Sequence, residues 1–246
     1  MNIDCIERIS CFDNADAAFS LRNGGESSGN YASLNLGDHV GDDPKIVEKN
    51  RLKFEQAFGH RCVFMHQLHG TKATLIRKIP DFSPECDAIV TDVKGLGLAV
   101  MTADCLPLLL QTGDGKVCAA VHCGWKGLAR GIVRNTVSLI RKLSTSSLEV
   151  YTGPCIGPLS FEVGPEVRDE FVHAFGSDAN SAFKISRADR LLCSLPELTS
   201  LALMQSGVEI AKIVHSGCDT FKEKERFFSY RRHAVTGRMV TVISLR

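Results

Sequence analysis

Apolar residues gather along this chain in short dense runs separated by turn formers, a pattern that favours buried strands over surface helices. The densest pair, Leu106–Leu110 and Val117–Val121, flanks Gly113-Asp114-Gly115 and reads as a β-hairpin with its turn near Asp114. Further strands are expected at Cys62–Met65, Thr74–Ile79, Ala88–Thr91, Leu96–Met101, Leu148–Thr152, Val208–Val214 and Met239–Ser244. Asp42-Asp43-Pro44 starts a helix that runs to about Phe58 and stops at Gly59. Leu128, Ile132, Val133, Thr136, Leu139, Ile140 and Leu143 repeat at helical spacing and predict one amphipathic helix over Gly127–Leu143. Glu166–Phe175 and Leu195–Gln205 are also expected to be helical, the second ending at Gly207. Strands cluster and outnumber strict βαβ alternation, which places the chain in the α+β class with mixed sheets, as one domain over 1–246.

Residues 22–43 break the pattern. They are rich in Gly, Ser, Asn and Asp yet carry Tyr31, Leu34, Leu36 and Val40, so a long ordered loop is expected rather than disorder. A second irregular stretch, Phe227-Phe228-Ser229-Tyr230-Arg231-Arg232, combines aromatic and basic side chains.

The strand ends carry the candidate chemistry. Cys105 precedes the first hairpin run and His122 closes the second, so antiparallel pairing brings them to the same end of the sheet. His69, in Met65-His66-Gln67-Leu68-His69-Gly70, also follows an apolar run, and His66 reads as packing or as a group behind the site. Two imidazoles and a thiolate would suit zinc, with a fourth position left open. Alternatively, Cys105 is a nucleophile with His122 as its base, or all three are hydrogen-bonded polar residues at strand ends. Arg231 and Arg232 could grip phosphate or carboxylate, or make surface ion pairs. Trp125, between Gly124 and Gly127, is read as core rather than as a stacking surface for a base.

Composition then removes alternatives. A net charge of +1 over 246 residues gives no reason to expect nucleic acid or an anionic membrane as partner. No apolar stretch approaches a membrane span, and the start, Met-Asn-Ile-Asp-Cys-Ile-Glu-Arg, lacks the regions of a signal peptide, so a cytoplasmic location is expected. Ten cysteines without a Cys-x-x-Cys spacing read mostly as small buried apolar residues, Cys62, Cys118 and Cys193 among them. The P-loop, dinucleotide, nucleophile-elbow, His-Glu-x-x-His and deaminase His-x-Glu signatures are all missing.

Taken together, Tyr31-Ala-Ser-Leu-Asn-Leu-Gly-Asp-His-Val-Gly-Asp-Asp-Pro, Asn50-Arg51, Gln67-Leu-His-Gly-Thr, Ala103-Asp-Cys-Leu-Pro, His122-Cys-Gly-Trp-Lys-Gly, Gly153-Pro-Cys-Ile-Gly-Pro, Phe161-Glu-Val-Gly, Phe227-Phe-Ser-Tyr-Arg-Arg and Thr236-Gly-Arg-Met resemble one family. It is the purine nucleoside phosphorylase family formerly classed as multicopper polyphenol oxidases, which includes peptidoglycan editing factor. Cys123 departs from the Ala usual there. The resemblance implies an αββα-type sandwich similar to the catalytic domain of cytotoxic necrotizing factor. It implies zinc, with copper as the alternative metal, on His69, Cys105 and His122, which would also be catalytic. The implied activities are phosphorolysis of adenosine, inosine and methylthioadenosine to free base and the sugar 1-phosphate, with adenosine deamination besides. Ser33, Asn35 and Gln67 are candidate nucleoside contacts, and Arg51, Arg231 and Arg232 candidate phosphate contacts. Small molecules are the implied partners, with a homodimer as a candidate assembly. A metal-free cysteine hydrolase or amidase and a peptidoglycan-editing factor are the competing readings. Copper phenol oxidation ranks low, because eight histidines with no His-x-His cannot hold the several coppers of a laccase.

Overall fold

The computed structural model describes residues 5–246; Met1–Asp4, part of the start read for a signal peptide, lie outside the described residues. The chain begins with β1 (Ile6–Ile9) and β2 (Ala15–Ser20), crosses the long loop and enters α1 (Pro44–Phe58). β3 (Cys62–Phe64), β4 (Ala73–Leu75), β5 (Ala88–Thr91) and β6 (Gly97–Thr102) lead to the hairpin of β7 (Leu106–Thr112) and β8 (Cys118–Cys123). Helices α2 (Trp125–Ala129) and α3 (Ile132–Ile140) follow, then β9 (Leu148–Thr152), β10 (Glu162–Val163) and α4 (Pro165–Phe175). The chain closes with β11 (Phe183–Arg187), β12 (Arg190–Cys193), α5 (Leu195–Gln205), β13 (Ile210–His215) and β14 (Met239–Leu245).

Two large mixed sheets organise these elements, one in the order β1-β2-β14-β6-β3 and the other β13-β9-β7-β8-β5-β4. Side-chain alternation on β7 shows how they are layered. Leu106, Leu108 and Leu110 join a core with Leu128, Ile132 and Val133 from the helices, whereas Leu109 joins Leu98, Val100 and Ile243 of the other sheet. Phe54 and Phe58 of α1 cover the far face of the first sheet against Ala99, Met101 and Val242. With both faces covered, every residue of β6, β7, β8 and β14 is buried, and this explains the near-continuous apolar runs. Each fully buried Leu or Val contributes roughly 1.5–3 kcal/mol.

Helix α1 is bounded as expected: Asp43 accepts from the Lys45 N–H at 2.9 Å, and Gly59 takes φ 97° at the C-terminus. The helix expected over Gly127–Leu143 is instead two helices. Gly131 adopts φ 99° between α2 and α3, and this left-handed residue turns the chain while the apolar spacing carries on across it. The strand expected over Thr74–Ile79 shortens to β4. Strands β1, β2, β10, β11 and β12 were not expected. β2 reads Ala-Asp-Ala-Ala-Phe-Ser, small residues with weak strand preference that form a strand because β1 and β14 pair with it on both sides.

Loop 22–43 is ordered from α1. The buried Asn50 amide donates to Ser27 Oγ and to the carbonyls of Ser33 and Asn35, and it accepts from the Glu26 N–H. No described helix is long and apolar enough to cross a membrane.

Candidate active site

Three strand ends converge on one point. Pro107 pairs with His122 and Leu106 with Cys123, so Cys105, one residue ahead of β7, lands beside the end of β8. On the other side of β8, Ala88 pairs with Val121, and the Asp87 carbonyl accepts the His122 N–H at 2.7 Å. His69 comes from the connection between β3 and β4. Its ligating nitrogen, Cys105 Sγ and a His122 nitrogen all lie within 4.8 Å of one another. The two imidazole rings meet edge to face at 4.7 Å. His122 is buried, Cys105 half-buried and His69 exposed, so the cluster opens toward solvent on one side.

Asp87 holds this arrangement. One carboxylate oxygen accepts from the His69 N–H (2.9 Å) and from His122 Nδ1 (2.8 Å); the other accepts from the Leu68 (3.2 Å) and Gly70 (2.7 Å) N–H groups. A buried carboxylate with four donors is satisfied, and its bond to Nδ1 leaves the other nitrogen of His122 to face the cluster. His69 sits at φ 57°, a conformation costly for a residue with a Cβ and sustained here by the Asp87 bonds. The glycines nearby have steric reasons. A Cβ on Gly124 would lie 2.5 Å from His69 Nδ1, and one on Gly127 would lie 2.6 Å from the Gly70 carbonyl oxygen.

The electrostatics follow from the geometry. Burial pushes the Cys105 thiol up, but the charge and hydrogen bonding of His122, joined by His69, reverse this and bring it down to about 6. Burial opposes a charge on His122, and the Cys105 thiolate with Asp87 raises it to about 9. Without metal the pair is therefore thiolate and imidazolium at neutral pH. Below about pH 6 the thiol dominates and alkylates slowly; above it the thiolate reacts. Iodoacetamide is expected to label metal-free protein selectively at Cys105 with a midpoint near pH 6, and peptide mapping against pH checks this. Selectivity follows because burial raises the thiols of Cys11, Cys62, Cys86, Cys118, Cys123, Cys155, Cys193 and Cys218.

The cluster lies in a cleft of about 510 Å³, within the usual range for small-molecule sites. Trp125, Ile156, Phe161 and Leu195 give it an apolar wall, and Arg231 and Arg238 a cationic one. Asp104, at φ 94° beside Cys105, accepts from Thr220 Oγ1, Ser229 Oγ and the Arg231 N–H, tying the aromatic–basic stretch to the cleft.

Of the residues proposed from sequence, the structure brings Gln67 and Arg231 to this cleft with the cluster. Gln67 spends its amide on the backbone of Met101, donating to its carbonyl and accepting its N–H, both at 2.8 Å. Arg231 donates to the Glu162 carbonyl and lies over the Phe161 ring. Ser33, Asn35, Arg51 and Arg232 do not line the cleft. Ser33 Oγ accepts from Gly25 N–H, and Asn35 is buried with its amide bonded to Gly37, Asp42 and Arg238. Arg51 pairs with Asp38 and covers Phe64, and Arg232 donates to the carbonyls of Thr220, Phe221 and Phe227. Trp125, read as core, is half-buried with a face on the cleft, because it begins α2 right after the Gly124 turn. His66, read as packing or as a group behind the site, is exposed. Cys62, Cys118 and Cys193 are buried free thiols, as expected. Sequence reasoning missed Asp87 and Arg238; a lone Asp ahead of the wholly buried β5 was the available signal for the first.

Fold and site describe a mixed-sheet α/β protein with a thiolate–imidazole cluster in a small-molecule cleft. Residues 16–246 match the multi-copper polyphenol oxidoreductase laccase family, and the chain belongs to that family. It is 41% identical over 93% of both chains to a protein named purine nucleoside phosphorylase YfiH from Shigella flexneri. It is 40% identical, again over 93% of both, to purine nucleoside phosphorylase PA4543 of Pseudomonas aeruginosa. Among solved structures, Neisseria meningitidis protein NMB0706 superposes with a TM-score of 0.91 at 36% identity, over 98% of this chain and 99% of the other. The relatives' names support an enzyme of the purine nucleoside phosphorylase kind.

Proposed function

We propose that this protein is a cytoplasmic zinc-dependent enzyme that cleaves purine nucleosides with phosphate, taking adenosine, inosine and methylthioadenosine. The observation that carries the reading is one cleft holding a two-imidazole, one-thiolate cluster, an apolar wall and two guanidinium groups. The cluster fits zinc by its own chemistry: three mutually close ligand atoms, one a low-pKa thiolate, and a carboxylate fixing one imidazole from behind. Copper is the alternative metal, but three ligands are too few for the several ions of a laccase. When bound, zinc would supply Lewis-acid charge to the reacting centre.

The protein's own groups do the rest. Trp125, Ile156, Phe161 and Leu195 take the purine face and exclude water, and Arg231 draws the phosphate. Ser33, Asn35, Arg51 and Arg232 stand outside the cleft, and Asn35 acts on it through its hydrogen bond from the Arg238 N–H. In the reaction the C1′–N9 bond breaks with its electron pair on the base, and a phosphate oxygen bonds to C1′. The proton lost by that phosphate equals the proton gained by the base.

Inosine should therefore yield ribose 1-phosphate and hypoxanthine only when phosphate is present, as chromatography of the products checks. Equal hypoxanthine release in phosphate-free buffer would replace phosphorolysis with hydrolysis. Inosine formed from adenosine without phosphate would mark the deaminase activity. A second reading is favoured by the Cys105–His122 ion pair itself: a metal-free cysteine hydrolase or amidase, with Cys105 as nucleophile and His122 as its base. It requires activity that survives chelation.

A further inference from the structure

We infer that Arg238, together with Arg231 of the same cleft, forms the subsite for the phosphate oxyanion, a role not expected of Arg238 from sequence. The inference rests on the proposed phosphorolysis for its substrate, and on the following geometry for its location.

Arg238 is a half-buried cation with no carboxylate partner within 4.0 Å among the described residues. Arg51, Arg226 and Arg246, by contrast, pair with Asp38, with Glu7 and Glu223, and with Asp16. The guanidinium uses one nitrogen, Nη1, on the carbonyls of Thr236 and Gly237, which fixes its direction without neutralising it. Burial pulls its pKa down, so the surroundings resist the charge, while Cys105 and Asp104 are near enough to favour it. A desolvated guanidinium facing a cleft is a site for an anion from solution, and its planar fork matches a phosphate oxygen pair.

The fold places this residue deliberately. Asn35 Oδ1 accepts the Arg238 N–H at 2.9 Å, and the Leu36 N–H donates to the Arg238 carbonyl at 3.1 Å. Gly37 packs its backbone on the side chain, and a Cβ there would lie 2.7 Å from Arg238 Cγ. The ordered loop 22–43 thus serves the cleft by holding Arg238. Among the described residues Arg231 likewise has no carboxylate partner within 4.0 Å, so two guanidinium groups without an ion pair share one cavity with the cluster.

The phosphate could arrive as the free inorganic ion or as part of a nucleotide, and the test separates these. Steady-state kinetics of inosine cleavage would compare wild type with Arg238→Ala, Arg238→Lys and Arg231→Ala, varying phosphate and inosine independently. Losing a charge-assisted contact is expected to raise KM for phosphate roughly 10- to 100-fold in Arg238→Ala, with KM for inosine nearly unchanged and partial recovery in Arg238→Lys. Inorganic phosphate should raise the melting temperature of the wild type and not of Arg238→Ala, a readout that needs no turnover. An unchanged phosphate KM in a folded Arg238→Ala protein that still cleaves inosine would overturn the subsite and leave the proposed activity standing. Phosphate-induced stabilisation lost in Arg238→Ala, in a wild type that cleaves no nucleoside, would do the reverse. Inosine 5′-monophosphate stabilising through Arg238 where inorganic phosphate does not would overturn the co-substrate assignment.

Discussion

Replacing Cys105 with alanine is expected to abolish nucleoside cleavage and stoichiometric metal binding together, with little effect on the metal-free fold. Cys105 would supply the one anionic ligand of the cluster, and its thiolate, together with Asp87, brings His122 up to about 9. Two imidazoles alone hold zinc far more weakly. Metal charge at a reacting centre is worth several kcal/mol, which corresponds to a fall in rate of roughly three decades. The fold should tolerate the change because Cys105 is half-buried at the cleft and precedes, rather than joins, the fully buried β7. A cost of about 1 kcal/mol would move the melting temperature by only about 2–4 °C at this chain length. Elemental analysis, phosphate-dependent inosine cleavage and melting in chelator are the three measurements. A chelated wild type that keeps full activity and traps a covalent adduct on Cys105 would overturn the metal centre.

The three clustered residues were legible in the sequence because Cys105 precedes, His122 closes and His69 follows a dense apolar run, and a hairpin signal brings the first two together. The loop was legible as ordered, since Leu34 and Leu36 need burial, and both are fully buried. What its polar side chains do was not legible: Asn35 answers to Arg238, 203 residues away, and to Asp42 across the loop. Arg232 looked like an anion contact by residue type and Arg51 by its place in a family motif, and only partners distant in sequence or backbone carbonyls show where their donors go. The break between α2 and α3 was hidden because the apolar repeat is preserved through Gly131. Strand β2 was hidden because alanine carries so little strand signal. Asp87 escaped for a different reason: its function is to accept four hydrogens, and no local spacing announces that.

Asp87→Asn is expected to damage both the site and the fold. Each carboxylate oxygen accepts two donors, His69 N–H and His122 Nδ1 on one, Leu68 and Gly70 N–H on the other. An asparagine keeps one acceptor oxygen and sets an NH₂ against the other pair, whichever way the amide turns. Hydrogen bonds to a charged group are worth roughly 1.5–3 kcal/mol each, so a loss of several kcal/mol is expected before relaxation. Part of it should appear as loosening around His69, whose left-handed backbone depends on those bonds. Part should appear in metal affinity, which typically falls about 10- to 100-fold when the group behind a ligating histidine is removed. A pH signature separates this from simple misfolding. Burial works against ionisation of Asp87, yet the hydrogen bond and charge of His122, with the Gly70 and Leu68 N–H groups, hold its pKa below the ordinary carboxylate value. Its contribution is therefore present above about pH 4 and is lost as pH falls through the folded-state value. Metal-free wild type should lose stability on acidification below that point, whereas Asp87→Asn should start lower and respond less. Denaturant titration across pH and chelator competition for zinc give the two readouts. Wild-type zinc affinity in a folded Asp87→Asn protein would show that His122 and His69 are oriented by something other than this carboxylate.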